Sequence, residues 1–193
     1  VKVLLIDAYD SFIYIVKNYI ENIGINVDVI RNDKVELISL QDYQAIILGP
    51  GPGHPIESCY IDILGAAEGI LPIFGVCLGM QAIAEYYGLS VNPAISRQHG
   101  KTSLIRNDMK GCFTNLPSEF LVTRYHSLVV DENLITSDTP LVITARSLND
   151  NYVMGLRHKN YLIEGVQFHP ESISTEYGMN IFENFFRNIV NQC

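Results

Sequence analysis

Short apolar runs alternate with stretches of helical spacing through the first ninety or so residues, and this alternation limits the fold more than any other feature. Residues 3–6 form a continuous apolar run ending in Asp7, the pattern of a strand buried on both faces. Residues 11–23 then place Phe12, Ile15, Val16, Tyr19, Ile20 and Ile23 at helical spacing, and Gly24 stops the helix. Residues 27–30, 45–48 and 72–76 read as further strands, and 58–68 and 78–87 as helices, the last closed by Gly88. Strands that alternate with helices imply crossover units, hence a parallel sheet covered on both faces.

The second half changes character. Residues 102–106, 120–130, 141–147, 152–157 and 161–168 read as short strands separated by turn residues such as Asn149-Asp150-Asn151. Residues 177–190 return to helical spacing. The expected fold is α/β: an open, mixed, mainly parallel sheet with helices on both faces and an added antiparallel portion. There is no repeat, linker or low-complexity tract, so residues 1–193 are expected to form a single domain.

Charge narrows the partners. The formal net charge is −8 and the basic residues are scattered, so neither nucleic acid nor an anionic membrane is an expected partner. No apolar run is long enough to cross a bilayer, and the V-K-V-L-L-I-D start does not have the form of a signal peptide; a cytoplasmic location is the expectation. The four cysteines, Cys59, Cys77, Cys112 and Cys193, show no C-x-x-C pair and no zinc-site spacing. They are expected to be thiols, and no metal site is expected.

One cysteine stands in a distinctive place. Gly75-Val76-Cys77-Leu78-Gly79 follows an apolar strand and precedes a helix, the thiol form of a nucleophile elbow. So sharp a turn strains the central residue, and flanking glycines remove side chains that would collide. Cys77 would sit at a helix N-terminus, where the dipole favours a thiolate, and the Leu78 N–H would face a developing oxyanion. An isolated cysteine in a glycine turn more often packs as a small apolar side chain, so companions are needed.

Two companions exist. Gly165-Val166-Gln167-Phe168-His169-Pro170-Glu171-Ser172 ends a strand, and in extended chain His169 and Glu171 leave the same face. A carboxylate beside a histidine holds one tautomer and stabilises the imidazolium. Alone, such a pair is as readily a surface ion pair. In an open parallel sheet, reactive groups gather at the carboxyl ends of strands, where Cys77 and His169 both stand. The loop Gly49-Pro50-Gly51-Pro52-Gly53-His54-Pro55 follows the third strand and is stiff, with N–H groups exposed for an oxyanion. It lacks the pattern of a phosphate loop, though a plain tight connection would look similar. Of the other histidines, His158 lies between Arg157 and Lys159 and is expected to be solvated.

Together, G-V-C-L-G-M-Q (75–81), P-G-P-G (50–53) and G-V-Q-F-H-P-E-S (165–172) resemble the class I, or triad, glutamine amidotransferases, in the family's order and over essentially the whole chain. D-A-Y-D-S-F (7–12), R-N-D (31–33), H-G-K-T-S (99–103) and T-R-Y-H-S-L-V-V (123–130) resemble component II of chorismate-using synthases. These are anthranilate synthase, on the tryptophan route, and aminodeoxychorismate synthase, on the folate route. R-N-D, T-R-Y-H-S-L-V-V and M-G-L-R-H (154–158) lean toward the folate enzyme, although some such subunits serve both. The resemblance implies a triad of Cys77, His169 and Glu171. It implies oxyanion N–H groups at Gly51 and Leu78, and a glutamine site drawn from Gly51, Pro52, Gly53, Gln81, Ser127 and Leu128. Two positions depart from the family pattern: Ala8 replaces an asparagine and Met80 a histidine.

The implied chemistry is attack of Cys77 on the glutamine side-chain amide, release of ammonia and hydrolysis of a γ-glutamyl thioester. The ammonia is useful only if handed to a second site, so a chorismate-using synthase subunit of separate sequence is the expected partner. Mg²⁺ is expected in that partner, and this chain is expected to need no cofactor. A stand-alone γ-glutamyl hydrolase or cysteine peptidase would use the same triad. A non-catalytic regulatory subunit could keep the fold, but all three triad positions are intact.

Overall fold

The structure, a computed structural model, describes residues 1–37, 39–95 and 99–190. Cys193, expected to be a bystander, lies outside the described residues. The parallel half contains β1 (Lys2–Asp7), α1 (Ile13–Asn22), β2 (Asn26–Arg31), β3 (Ala45–Leu48), α2 (Tyr60–Ala67), β4 (Ile73–Val76) and α3 (Leu78–Tyr86). Then follow β5 (Val91–Pro93), β6 (Lys101–Asn107), β7 (Glu119–Arg124), β8 (Leu128–Val130), β9 (Leu141–Ser147), β10 (Val153–His158), β11 (Ile163–Val166) and α4 (Gly178–Val190). Among the described residues, nine strands form one sheet in the order β2-β1-β3-β4-β11-β10-β9-β6-β7. From β2 to β11 neighbours run parallel; from β11 to β7 they run antiparallel. The mixed, mainly parallel sheet and its antiparallel addition are as expected.

The continuous apolar strands are explained by burial on both sides. In β1, Val3 and Leu5 join one apolar cluster, and Leu4 and Ile6 the other. The first cluster takes Ile13, Val16 and Ile20 of α1 and Phe182, Phe185 and Phe186 of α4. The second takes Ile63 and Leu64 of α2 and Ala82, Ile83 and Ala84 of α3. Each helix lays one apolar stripe on a sheet whose every central side chain is out of water. Fully buried Tyr60 ties α2 to the strand ends: its hydroxyl lies 3.1 Å from both Ile6 O and Gly49 O.

Four local expectations are corrected. The single strand expected over residues 120–130 is broken at 125–127, and β8 leaves to pair with β5 in a separate two-stranded sheet. The helix expected over 58–68 begins only at Tyr60, because Cys59 takes a left-handed conformation (φ 59°) after a short 3-10 turn. The strand expected through Phe168 ends at Val166, so His169 and Glu171 do not share the face of an extended chain. They sit in a turn instead, closed by Ser172 N–H donating to His169 O at 3.2 Å, with Pro170 and Glu171 at its two central positions. His158, expected in solvent, is 6% exposed. Its Nδ1 accepts from the N–H groups of Asn160 and Tyr161, and its ring stacks on Tyr161 with centroids 4.7 Å apart. The turn after β10 needs that acceptor, and this outweighs the charged neighbours in sequence.

Candidate active site

The geometry starts from three glycines. A Cβ at Gly75 would lie 2.4 Å from the carbonyl carbon of Gly79, and one at Gly79 would lie 2.2 Å from Leu48 O. Only bare backbone lets α3 start this close to β3 and β4. The turn between them leaves Cys77 at φ 52°, ψ −100°, a conformation that side chains other than glycine rarely adopt. It is held there because Cys77 N–H donates to Val166 O at 2.8 Å and Cys77 O accepts from Gln81 N–H at 3.1 Å. The N–H groups of the first helical turn, Leu78 among them, have no acceptor within the helix. The third glycine, Gly51, brings the loop alongside: a Cβ there would lie 2.8 Å from Leu78 Cδ2 and 2.6 Å from Ala8 Cβ.

β11 lies parallel to β4, with Val166 opposite Val76. The chain therefore leaves both strands at the same edge, and the residues after β11 reach Cys77. His169 is pinned from the antiparallel side: its N–H donates to Thr123 O at 3.0 Å, and its carbonyl accepts from Thr175 Oγ1 at 2.7 Å. Glu171 Oε1 lies 2.6 Å from His169 Nδ1, both side chains being buried. The ring stands between Phe12 and Tyr125, at centroid distances of 5.5 and 5.0 Å. Burial disfavours the imidazolium, but hydrogen bonding and charge from Cys77 and Glu171 outweigh it. The pKa of His169 is held well above its ordinary value of 6.5. A histidine so placed readily keeps a proton taken from Cys77.

The remaining expected residues divide. Gln81 is buried 3.1 Å from Gln167, and its Nε2 also donates to Leu128 O at 3.2 Å. Ser127 is exposed and Leu128 half-buried, in the segment where β7 gives way to β8. Pro52 and Gly53 line a neighbouring hollow of about 470 Å³ with Tyr9, Asp33 and His54; Cys77, His169 and Glu171 are not in its walls. Ala8 is buried against Gly51, so this departure acts on the loop's footing, and Met80 is buried against Gly165, away from the turn's outer side. Sequence reasoning passed over Gln167, Phe12 and Tyr125. The first stands in the G-V-Q-F-H-P-E-S stretch, but nothing in that stretch shows that its side chain meets the sulfur.

Among the described residues, no cluster of three or more His, Cys, Asp or Glu side chains is placed to hold a metal ion. No helix among them is long and apolar enough to cross a membrane.

An open mixed sheet with a thiol, an imidazole and a carboxylate in sequence at its strand ends defines the nucleophile-elbow class of α/β proteins. The comparisons make the class specific. A sequence model of the family described as glutamine amidotransferase class-I matches residues 4–189. The chain is 41% identical over 187 residues to anthranilate synthase component 2 of Porphyra purpurea, covering 95% of this chain and 97% of that protein. It is 44% identical over 187 residues to the multifunctional tryptophan biosynthesis protein of Pichia angusta, where it covers 95% of this chain but spans only 50% of the relative. A crystal structure described as a GMP synthase subunit from Thermoplasma acidophilum superposes with a TM-score of 0.86 at 26% identity, covering 100% of this chain and 95% of the other. The chain belongs to the class-I glutamine amidotransferases.

Proposed function

We propose that this chain hydrolyses L-glutamine at Cys77 and passes the ammonia to a chorismate-using synthase subunit or domain. The observation that carries the proposal is the strained Cys77 (φ 52°) beside the buried His169–Glu171 pair, on adjacent parallel strand ends. The Cys77 sulfur attacks the side-chain carbonyl carbon of glutamine while its proton passes to His169. The carbonyl oxygen becomes an oxyanion facing the N–H groups of Leu78 and Gly51. Collapse expels ammonia, which takes the proton from His169 and leaves a γ-glutamyl thioester. Water, deprotonated by His169, then releases glutamate. Glu171 keeps the ring oriented throughout. Gln81 uses both amide hydrogens internally, so its Oε1 is the atom left for substrate.

The relatives' names support anthranilate synthase as the recipient, on the tryptophan route. A second recipient, aminodeoxychorismate synthase on the folate route, is favoured by the R-N-D and T-R-Y-H-S-L-V-V stretches. Mg²⁺ belongs to the synthase reaction, residues 1–193 act as one amidotransferase domain, and the setting is cytoplasmic. The test is glutamate release with and without each synthase, chorismate and Mg²⁺, with the aromatic product identified. Glutamine-dependent product that disappears in Cys77→Ser supports the proposal. Efficient cleavage of γ-glutamyl peptides, indifferent to either synthase, refutes it.

A further inference from the structure

Two amides lie buried behind the nucleophile. Gln167 is fully buried and Gln81 is 3% exposed. Gln81 Nε2 donates to Leu128 O at 3.2 Å and to Gln167 Oε1 at 3.1 Å, and Gln167 Nε2 lies 3.6 Å from Cys77 Sγ. The direction of this relay is set by a backbone group. A carbonyl can only accept, so Gln81 must turn its NH2 toward Leu128 O. Its second hydrogen then requires the oxygen of Gln167, which leaves the Gln167 NH2 aimed at the sulfur. Leu128 O is itself held, since His126 Nδ1 lies 2.9 Å from it and His126 Nε2 accepts from Arg124 Nε at 3.0 Å. Strand register puts Gln167 beside Cys77, because the pair before them, Val166 and Val76, are opposite one another.

We infer that Gln167 is a catalytic residue whose amide N–H donates to Cys77 Sγ and stabilises the thiolate, and that Gln81 is a positioning residue that acts through it. This deepens the proposed function and rests on Cys77 being the nucleophile. His169 takes the proton; Gln167 transfers none, and its N–H···S contact strengthens as the sulfur becomes negative. The titratable groups that face Cys77 are His169, with Glu171 behind it, and Tyr60 of α2. Asp10, in the loop after β1, faces His169 and Glu171. The side chain of Gln167 cannot ionise, so its contribution appears as a displaced titration of the sulfur.

The test is the pH dependence of Cys77 alkylation by iodoacetamide, read by peptide mass spectrometry, with exposed Cys59 as the reference in the same chain. Gln167→Leu is expected to move the Cys77 midpoint up by about one pH unit, the worth of a hydrogen bond to a charged group. Gln167→Glu, of the same shape but an acceptor, moves it at least as far. Gln81→Leu moves it the same way by less, since Gln167 stays but is no longer held. A purely structural role would lower the melting temperature of these variants without moving the midpoint. An unmoved Cys77 midpoint in any folded Gln167 variant, or a Gln81→Leu shift larger than that of Gln167→Leu, overturns the inference. Alkylation needs no glutamine, so a shift in a chain that releases no glutamate sinks the proposed function alone. Brisk glutamate release with an unmoved midpoint sinks only this inference.

Discussion

Replacing His126 by glutamine should flatten the acid side of the stability curve. His126 is 3% exposed, with Nδ1 2.9 Å from Leu128 O and Nε2 accepting from Arg124. Burial, and after it the Arg124 charge, pushes its pKa down from 6.5 to about 4. The folded pKa lies below the unfolded one, so between those values the unfolded chain binds a proton that the folded chain refuses. Stability therefore falls as pH drops from 6.5 and stops falling below about 4. The full interval corresponds to about 3 kcal/mol, of which about 2 kcal/mol is gone by about pH 5. His169 works in the opposite direction. Its raised pKa gives stability that is present in acid and lost as pH rises through the folded value. A difference between two proteins that share His169 removes that contribution. Urea unfolding of the wild type and His126→Gln at about pH 7.5 and about pH 5 is the assay. The wild type should lose about 2 kcal/mol more than the variant across that interval. Equal losses would refute a neutral, buried His126.

Gly79→Ala would set a Cβ 2.2 Å from the backbone oxygen of Leu48, and backbone on both sides cannot yield. Urea unfolding should show a loss of about 2–3 kcal/mol. Glu171→Gln keeps the size of the group 2.6 Å from His169 Nδ1 but presents a donor or an uncharged acceptor. Glutamate release should fall by about 100-fold in kcat with KM little changed, and an unchanged kcat would remove Glu171 from the triad. Cys112 is buried, and burial followed by the nearby Glu164 carboxylate raises its thiol well above the ordinary value. It should resist iodoacetamide at neutral pH until the chain is denatured, whereas Cys59 reacts in the native chain.

Much of the fold could be read in advance because its causes are local. The glycines at 75 and 79 mark the place where a helix starts against a strand, and apolar runs such as residues 45–48 mark strands covered on both sides. The order of strands is another matter. β11 comes last in the chain yet inserts beside β4, and this insertion is what carries His169 to Cys77. The break at residues 125–127 follows from where Arg124 goes. It is fully buried and paired with Asp150 at 2.9 Å, 26 positions away, and no window around residue 124 contains that partner. The Gln81–Gln167 contact joins side chains 86 positions apart. A glutamine looks alike in sequence whether it is solvated or aimed at a sulfur. His158 misled for the same reason: its neighbours are charged, but the turn that buries it is formed by Asn160 and Tyr161.

Acid-quenching the chain during turnover of glutamine, and mapping the covalent adduct by peptide mass spectrometry, tests the proposed role of Cys77 most directly. The expected result is one γ-glutamyl group on the Cys77 peptide, absent from Cys77→Ala, which releases no glutamate. An adduct on another residue, or glutamate release that persists in Cys77→Ala, would contradict it.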